Sequence, residues 1–113
     1  ERFLKEVLLP LRWGERPVYR PFDCRTQTLG DPLPFHPGPV VLVEGSYACH
    51  PALWDHYDVR AFLTVDPAVQ MEWITAREGG DYAQVFREKW IPLEERYFSG
   101  CEVESRCDYQ LEI

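Results

Sequence analysis

Glu44 closes the apolar run Val40-Val41-Leu42-Val43 and is followed at once by Gly45. A carboxylate fixed at the end of a buried strand can hold Mg²⁺, or a water on it, beside phosphate groups, the chemistry of a Walker-B-like element. The same residue can equally be a strand-end acid satisfied by a nearby amide. Asp66 closes a second expected strand, Val59 to Val65, and stands before Pro67. That pair is a helix start, because Asp accepts from the first free amides and Pro suits the first turn. His36, His50 and His56 are isolated from one another, and His50, ahead of Pro51, falls near enough to Glu44 in sequence to be a site candidate. Cys49, His50 and His56 lack the paired spacing of zinc ligands. The four cysteines, Cys24, Cys49, Cys101 and Cys107, contain no C-x-x-C pair and are expected to be free or buried thiols rather than a disulfide frame.

The elements that must carry these residues follow from periodicity. Leu4, Val7, Leu8 and Leu11 form a helical stripe within Glu1 to Trp13, with Pro10 as a kink or terminator and Gly14 beyond. From Gly14 to Pro39 the density of Pro and Gly predicts extended pieces and turns. Val40 to Val43 is a continuous apolar run, the pattern of a strand buried on both faces of a parallel sheet, and Val59 to Val65 reads as a second buried strand. A short helical piece is expected over 51–56. A helix from Pro67 should stop at Gly79-Gly80, and another from Asp81 to about Ser99 should kink at Pro92. Cys107 to Ile113 reads as a last strand. The order strand, helix, strand, helices, strand is that of an α/β fold with a mainly parallel sheet. Three strands alone would leave apolar edges unpaired, and the first helix has no capping residue. The expectation is therefore that further strands lie upstream and that the chain is the C-terminal portion of a longer three-layer α/β/α domain.

Composition narrows the class of function. The chain has 113 residues, 45% of them hydrophobic, which is enough to build a core. Twelve Lys and Arg against nineteen Asp and Glu give a net charge of −7, which disfavours nucleic acid and anionic membrane as partners. No apolar run reaches the ~18 residues of a membrane span, and Glu1 to Glu6 lacks the layout of a signal peptide, so an intracellular, cytoplasmic protein is expected.

Glu44-Gly45-Ser46, then Trp54-Asp55-His56-Tyr57, then Phe62-Leu63-Thr64-Val65-Asp66 resemble the uridine kinase branch of the P-loop nucleoside kinases. There a strand ends in Glu-Gly, a short helix ends in an acidic-x-aromatic step, and the next strand ends in Asp. Pro17-Val18-Tyr19 is similar to the opening of that family's nucleoside-binding hairpin, and Arg106-Cys107-Asp108-Tyr109-Gln110-Leu111 to its final strand. The resemblance covers nearly all of the chain. It implies a partial P-loop NTPase fold over 1–113, with the hairpin region at 14–39 and the Walker-B-like strand, lid and last strand at 40–113. It also implies ATP as co-substrate, Mg²⁺ as cofactor and a nucleoside as phosphoryl acceptor.

By the same resemblance, Glu44 is the Mg²⁺ carboxylate, acting through a bound water, and Tyr19 packs against the nucleoside. Phe22 takes a stacking role, and Asp23 and Arg25 take polar ones. Arg77, before Glu78-Gly79-Gly80, is the lid arginine, with Arg87 next after it. His50 is a substrate-binding candidate. Glu94-Glu95-Arg96 reads as solvated helix face. Two departures stand out. No G-x-x-x-x-G-K-[ST] occurs, so this chain alone is expected to be inactive. The hairpin reads Tyr19-Arg20-Pro21-Phe22-Asp23-Cys24-Arg25 and lacks the family's His, which leaves pantothenate or a sugar phosphate open as acceptor. From another class, a non-catalytic regulatory or dimerising domain would use Trp13, Tyr19 and Phe22 as an oligomer contact.

Overall fold

The computed structural model describes all residues from Glu1 to Ile113, and the chain divides into two compact units, Glu1–Glu44 and Gly45–Ile113.

The first unit opens with a helical stretch whose first turn, Leu4–Leu8, is π-helical and whose continuation is α1, Leu9–Arg12. The cause is Pro10, whose ring has no amide proton and crowds the carbonyl four residues back. The wider π turn absorbs it: the Leu9 amide reaches back five residues to Leu4 O. Pro10 thus sits at the start of a fresh α turn rather than ending the helix. Leu8 of the predicted stripe is buried. The segment that follows folds as two antiparallel pairs, β1 (Val18–Tyr19) with β4 (Leu33–Pro34), and β2 (Phe22–Asp23) with β3 (Thr28–Leu29). Pro17 is fully buried at their base. Arg2 donates to the Arg20 carbonyl at 2.7 Å and pairs with Glu6, tying the helix to the hairpin.

The Val40–Val43 run does not form a strand. It is irregular, with Val40 75% and Leu42 91% exposed, against the expectation of burial on both faces. A strand exists only through hydrogen bonds to a neighbour, and no strand pairs with these residues.

The second unit contains the small parallel sheet, flanked by helices. Its two strands are β5, Ala61–Thr64, and β6, Tyr109–Glu112, in register Ala61↔Tyr109 and Leu63↔Leu111. The expected three strands are therefore two, and only one face is covered. Phe62 packs edge-on against Phe98 at 5.0 Å between ring centres. The opposite face, with Leu63, Tyr109 and Leu111, is exposed. A 3₁₀ turn, Trp54–His56, precedes β5, and between the strands run α2, Pro67–Glu78, and α3, Gly80–Val85. A π turn, Phe86–Trp90, leads into α4, Ile91–Gly100, and α5, Val103–Arg106, follows. As expected, Asp66 caps α2, accepting from the Ala68 amide at 2.9 Å, with Pro67 in its first turn. Pro92 repeats the device of Pro10, for the Ile91 amide reaches back five residues to Phe86 O. Ile74, Ala83, Val103 and Cys107 are the buried apolar positions of this unit.

Candidate functional site

The hairpin residues are held by local bonds. The loop between β2 and β3 is closed by Asp23, whose Oδ1 accepts from the amides of Arg25 at 2.8 Å and Thr26 at 3.4 Å. Those two donors hold the Asp23 carboxyl below its ordinary range. Gln27 takes the left-handed conformation that completes the turn, and Thr26 and Thr28 share a hydroxyl bond at 2.6 Å. One Asp23 oxygen is therefore committed to the loop. Tyr19 is exposed on β1, paired with β4, while Phe22 and Arg25 are exposed on β2 and the loop after it, so the four sequence-predicted residues are spread over the two successive antiparallel pairs. Glu44 is exposed at the end of the same unit.

In the second unit, Arg77 and Arg87 lie on the two arms of a turn. The C-terminal residue after α2 is Gly79, at φ +89°, a conformation L side chains rarely adopt. Before it, Arg77 donates to Glu78 at 2.9 Å and stands over the Phe86 ring, 5.8 Å from its centre. Past it, Arg87 borders a shallow concavity of about 600 Å³ with Ala68, Met71, Glu72 and Thr75. Its neighbour Glu88 accepts instead from Gln84 at 2.6 Å. The fold thus brings the two predicted lid arginines to one corner, joined through Phe86.

His50 is exposed and bonds within its own loop: Nδ1 accepts the Ala52 amide proton at 3.0 Å and the ring stacks over Tyr97 at 6.2 Å. Nearby, Ser46 donates to Glu94 at 2.9 Å. Glu94 is half-buried and bonded, a correction to its expected place on a solvated face, and the sequence offered no pairing signal across 48 residues.

Two features escaped sequence reasoning. The first is the Arg60 junction. Its guanidinium donates to the Trp54 carbonyl at 2.9 Å and the Tyr57 carbonyl at 3.0 Å, and stands 3.6 Å from Asp108. Asp108 in turn accepts the Arg60 amide at 2.8 Å, locking the starts of β5 and β6 together. Arg60 and Arg106 both lie over the Trp54 ring, at 4.8 and 4.6 Å. The second is a thiol and phenol cluster. Burial, with Cys49, Cys101, Cys107 and Tyr47 around it, pushes the Tyr97 phenol up to about 12, and its hydroxyl has no hydrogen-bond partner. Burial, with Cys49 against it, pushes the Cys107 thiol up to about 11. A concavity of about 750 Å³ lined by Phe62, Phe98, Glu95 and Glu102 contains none of the predicted residues.

The fold and these side chains define a mixed helix-and-strand protein with a small parallel sheet and flanking helices, in which no helix is long and apolar enough to cross a membrane. Comparison with known protein families, with curated proteins and with solved structures finds no match.

Proposed function

We propose that this chain is the C-terminal part of a uridine-kinase-like P-loop phosphotransferase. It would supply the Mg²⁺ carboxylate, the lid and the acceptor-binding hairpin for transfer of the ATP γ-phosphoryl to a nucleoside hydroxyl. The observation that carries this reading is the Gly79 turn, with Arg77 before it and Arg87 beyond it. Phosphoryl transfer spreads negative charge over the equatorial oxygens, and two guanidiniums on a glycine-hinged corner are suited to meet it. The exposed aromatics Tyr19 and Phe22, on a hairpin whose loop Asp23 has already closed, suit a planar acceptor.

In this reading Glu44 would hold Mg²⁺ through a bound water, and the metal would supply charge neutralisation for the transferring phosphoryl. The chain's own residues do the remainder by positioning: the hairpin holds the acceptor, and the arginines exclude water and stabilise charge as the corner closes. The bare apolar face of β5 and β6 and the exposed Val40–Val43 run support further sheet strands and a covering layer from the rest of such a domain.

The test is turnover of Mg·ATP by the protein with its P-loop segment, against nucleosides, pantothenate and sugar phosphates as acceptors. Glu44→Gln should lower kcat/KM by about a hundred-fold or more, the scale of a lost metal carboxylate, while the circular dichroism spectrum is retained. Unchanged kinetics would remove Glu44 from the mechanism. A second reading, a regulatory or dimerising domain, is favoured by the exposure of Trp13, Tyr19 and Phe22. The absence of turnover with every acceptor would leave that reading standing.

A further inference from the structure

Outside the arginine corner and the hairpin, the Gly45–Ile113 unit has a groove of about 750 Å³ bordered by β5, α4 and α5. Its apolar lining includes Phe62 of β5 and Phe98 of α4, whose rings meet edge to face at 5.0 Å. Three exposed carboxylates line it as well: Glu95 on α4, Glu102 just before α5 and Glu104 within α5. No Lys, Arg or His lines the groove, and none of the three carboxylates is ion-paired within the chain. Arg106, next along α5, stands over the Trp54 ring instead. We propose that this groove binds an aliphatic polyamine, a methylene chain carrying separated ammonium groups. No part of this rests on the phosphotransfer reading.

The neutral polar side chains of the groove favour a ligand rich in donors. Thr64 donates to the Leu111 carbonyl at 3.4 Å and Ser105 to the Glu102 carbonyl at 3.2 Å. Gln110 Nε2 donates to the carbonyls of Glu104 at 2.7 Å and Cys107 at 2.9 Å. With these protons spent on the protein, what the three side chains still offer is oxygen lone pairs. An ammonium group brings donors and no acceptor, so it matches both these oxygens and the carboxylates. A phosphate or carboxylate ligand would meet acceptors and negative charge.

The spacing of the acids selects the kind of cation. The three carboxylates do not converge on one point as metal ligands do. Negative charge spread along a groove is met by a ligand whose own charges are spread, with apolar stretches between them. The methylenes would leave water against Phe62 and Phe98, and an ammonium near either ring is attracted to its face. Because the carboxylates are exposed, each ion pair contributes modestly and is screened by salt. The net charge of −7 draws cations to the molecule as a whole, and the groove decides where this one stays.

The experiment titrates the isotope-labelled full chain with spermidine, following backbone amide and aromatic ring NMR signals, with calorimetry for the affinity. One saturable site is expected, with the largest shifts at Phe62, Glu95, Phe98, Glu102 and Glu104, and with affinity falling as salt rises from about 0.02 to about 0.2 M. Glu95→Gln and Glu102→Gln should each weaken binding about two- to five-fold. Glu15→Gln, the same loss of charge at an exposed position in the other unit, should leave it unchanged. Hexamminecobalt(III), equally trivalent but without methylenes, should bind about ten-fold more weakly for want of apolar contact. Equal affinity for the cobalt complex, or an equal loss in Glu15→Gln, would mean diffuse counterion attraction and overturns the proposal. The absence of saturable shifts in the groove overturns it too. Tighter binding of trilysine at the same residues would make the occupant a basic peptide, which also overturns it. The wild-type titrations require no variant, so a substitution that fails to fold does not shelter the proposal.

Discussion

Tyr97 shows how much a single side chain can encode that its sequence neighbours do not. In the helical stripe Val85, Phe86, Trp90, Leu93 and Tyr97 it reads as one more apolar contact, yet it stacks with Tyr47, His50 and Phe98 and lies among three thiols. The contacts with Tyr47 and His50 come from residues far away in the chain and leave no local signal. The phenol ionises near 10.0 in the unfolded chain and near 12 in the folded one, so the folded state holds its proton longer. The stability this provides is present in full below pH 10 and is lost as pH rises towards 12. Urea unfolding should therefore weaken across that range, by at most about 2 kcal/mol once solvent screening is allowed for. Tyr97→Phe should flatten the alkaline slope and change neutral stability little, because the hydroxyl it removes has no partner. A slope equally steep in the variant would assign it elsewhere, to Cys107 first. Asp66, by contrast, was legible in full, since a cap acts on the amides of its own first turn.

Helices were easier to read than strands, for a physical reason visible in particular elements. α2 is specified by Asp66 and Pro67 at one end and Gly79 at the other, all within its own sequence. The run Val40–Val43 has the composition of a strand, but its pairing depends on residues elsewhere, and it stays unpaired. The prolines lie between these cases. Pro10 and Pro92 announce a disturbance, and its form, a π turn ending two residues earlier in both helices, depends on backbone geometry that no residue pattern spells out. Each π turn inserts one residue into the helical count and advances the following face by about 100°. Arg87, inside the second turn, is thereby set on a different stripe from the one Tyr97 would give it in a regular helix. Gly79 is the most exacting position: its φ is +89° and a Cβ there would meet open space, so any penalty is one of backbone strain alone. Gly79→Ala should cost about 1–2 kcal/mol by urea or thermal unfolding, while Gly80→Ala should cost little or nothing. Equal effects at the two positions would contradict the hinge geometry.

At the scale of the whole molecule, the chain divides at Glu44 and Gly45, where the sequence was read as strand end and rim. The segment around that division is open. Limited chymotrypsin digestion should cut first after Leu42, which is 91% exposed in irregular backbone, and give two fragments before either unit is degraded. Early cleavage within α2 or α4 would mean that the units are less compact than the structure has them. Exposure of Val40–Val43 has a further consequence, for solubility. Four adjacent apolar residues, three of them β-branched, with free backbone groups and no charge, have the makings of a segment that stacks against its copies in other molecules. Pro39 on one side and Glu44 on the other act as gatekeepers against such cross-β assembly, the first by denying an amide and the second by charge repulsion. The carboxylate proposed to serve the metal therefore also keeps the chain from aggregating.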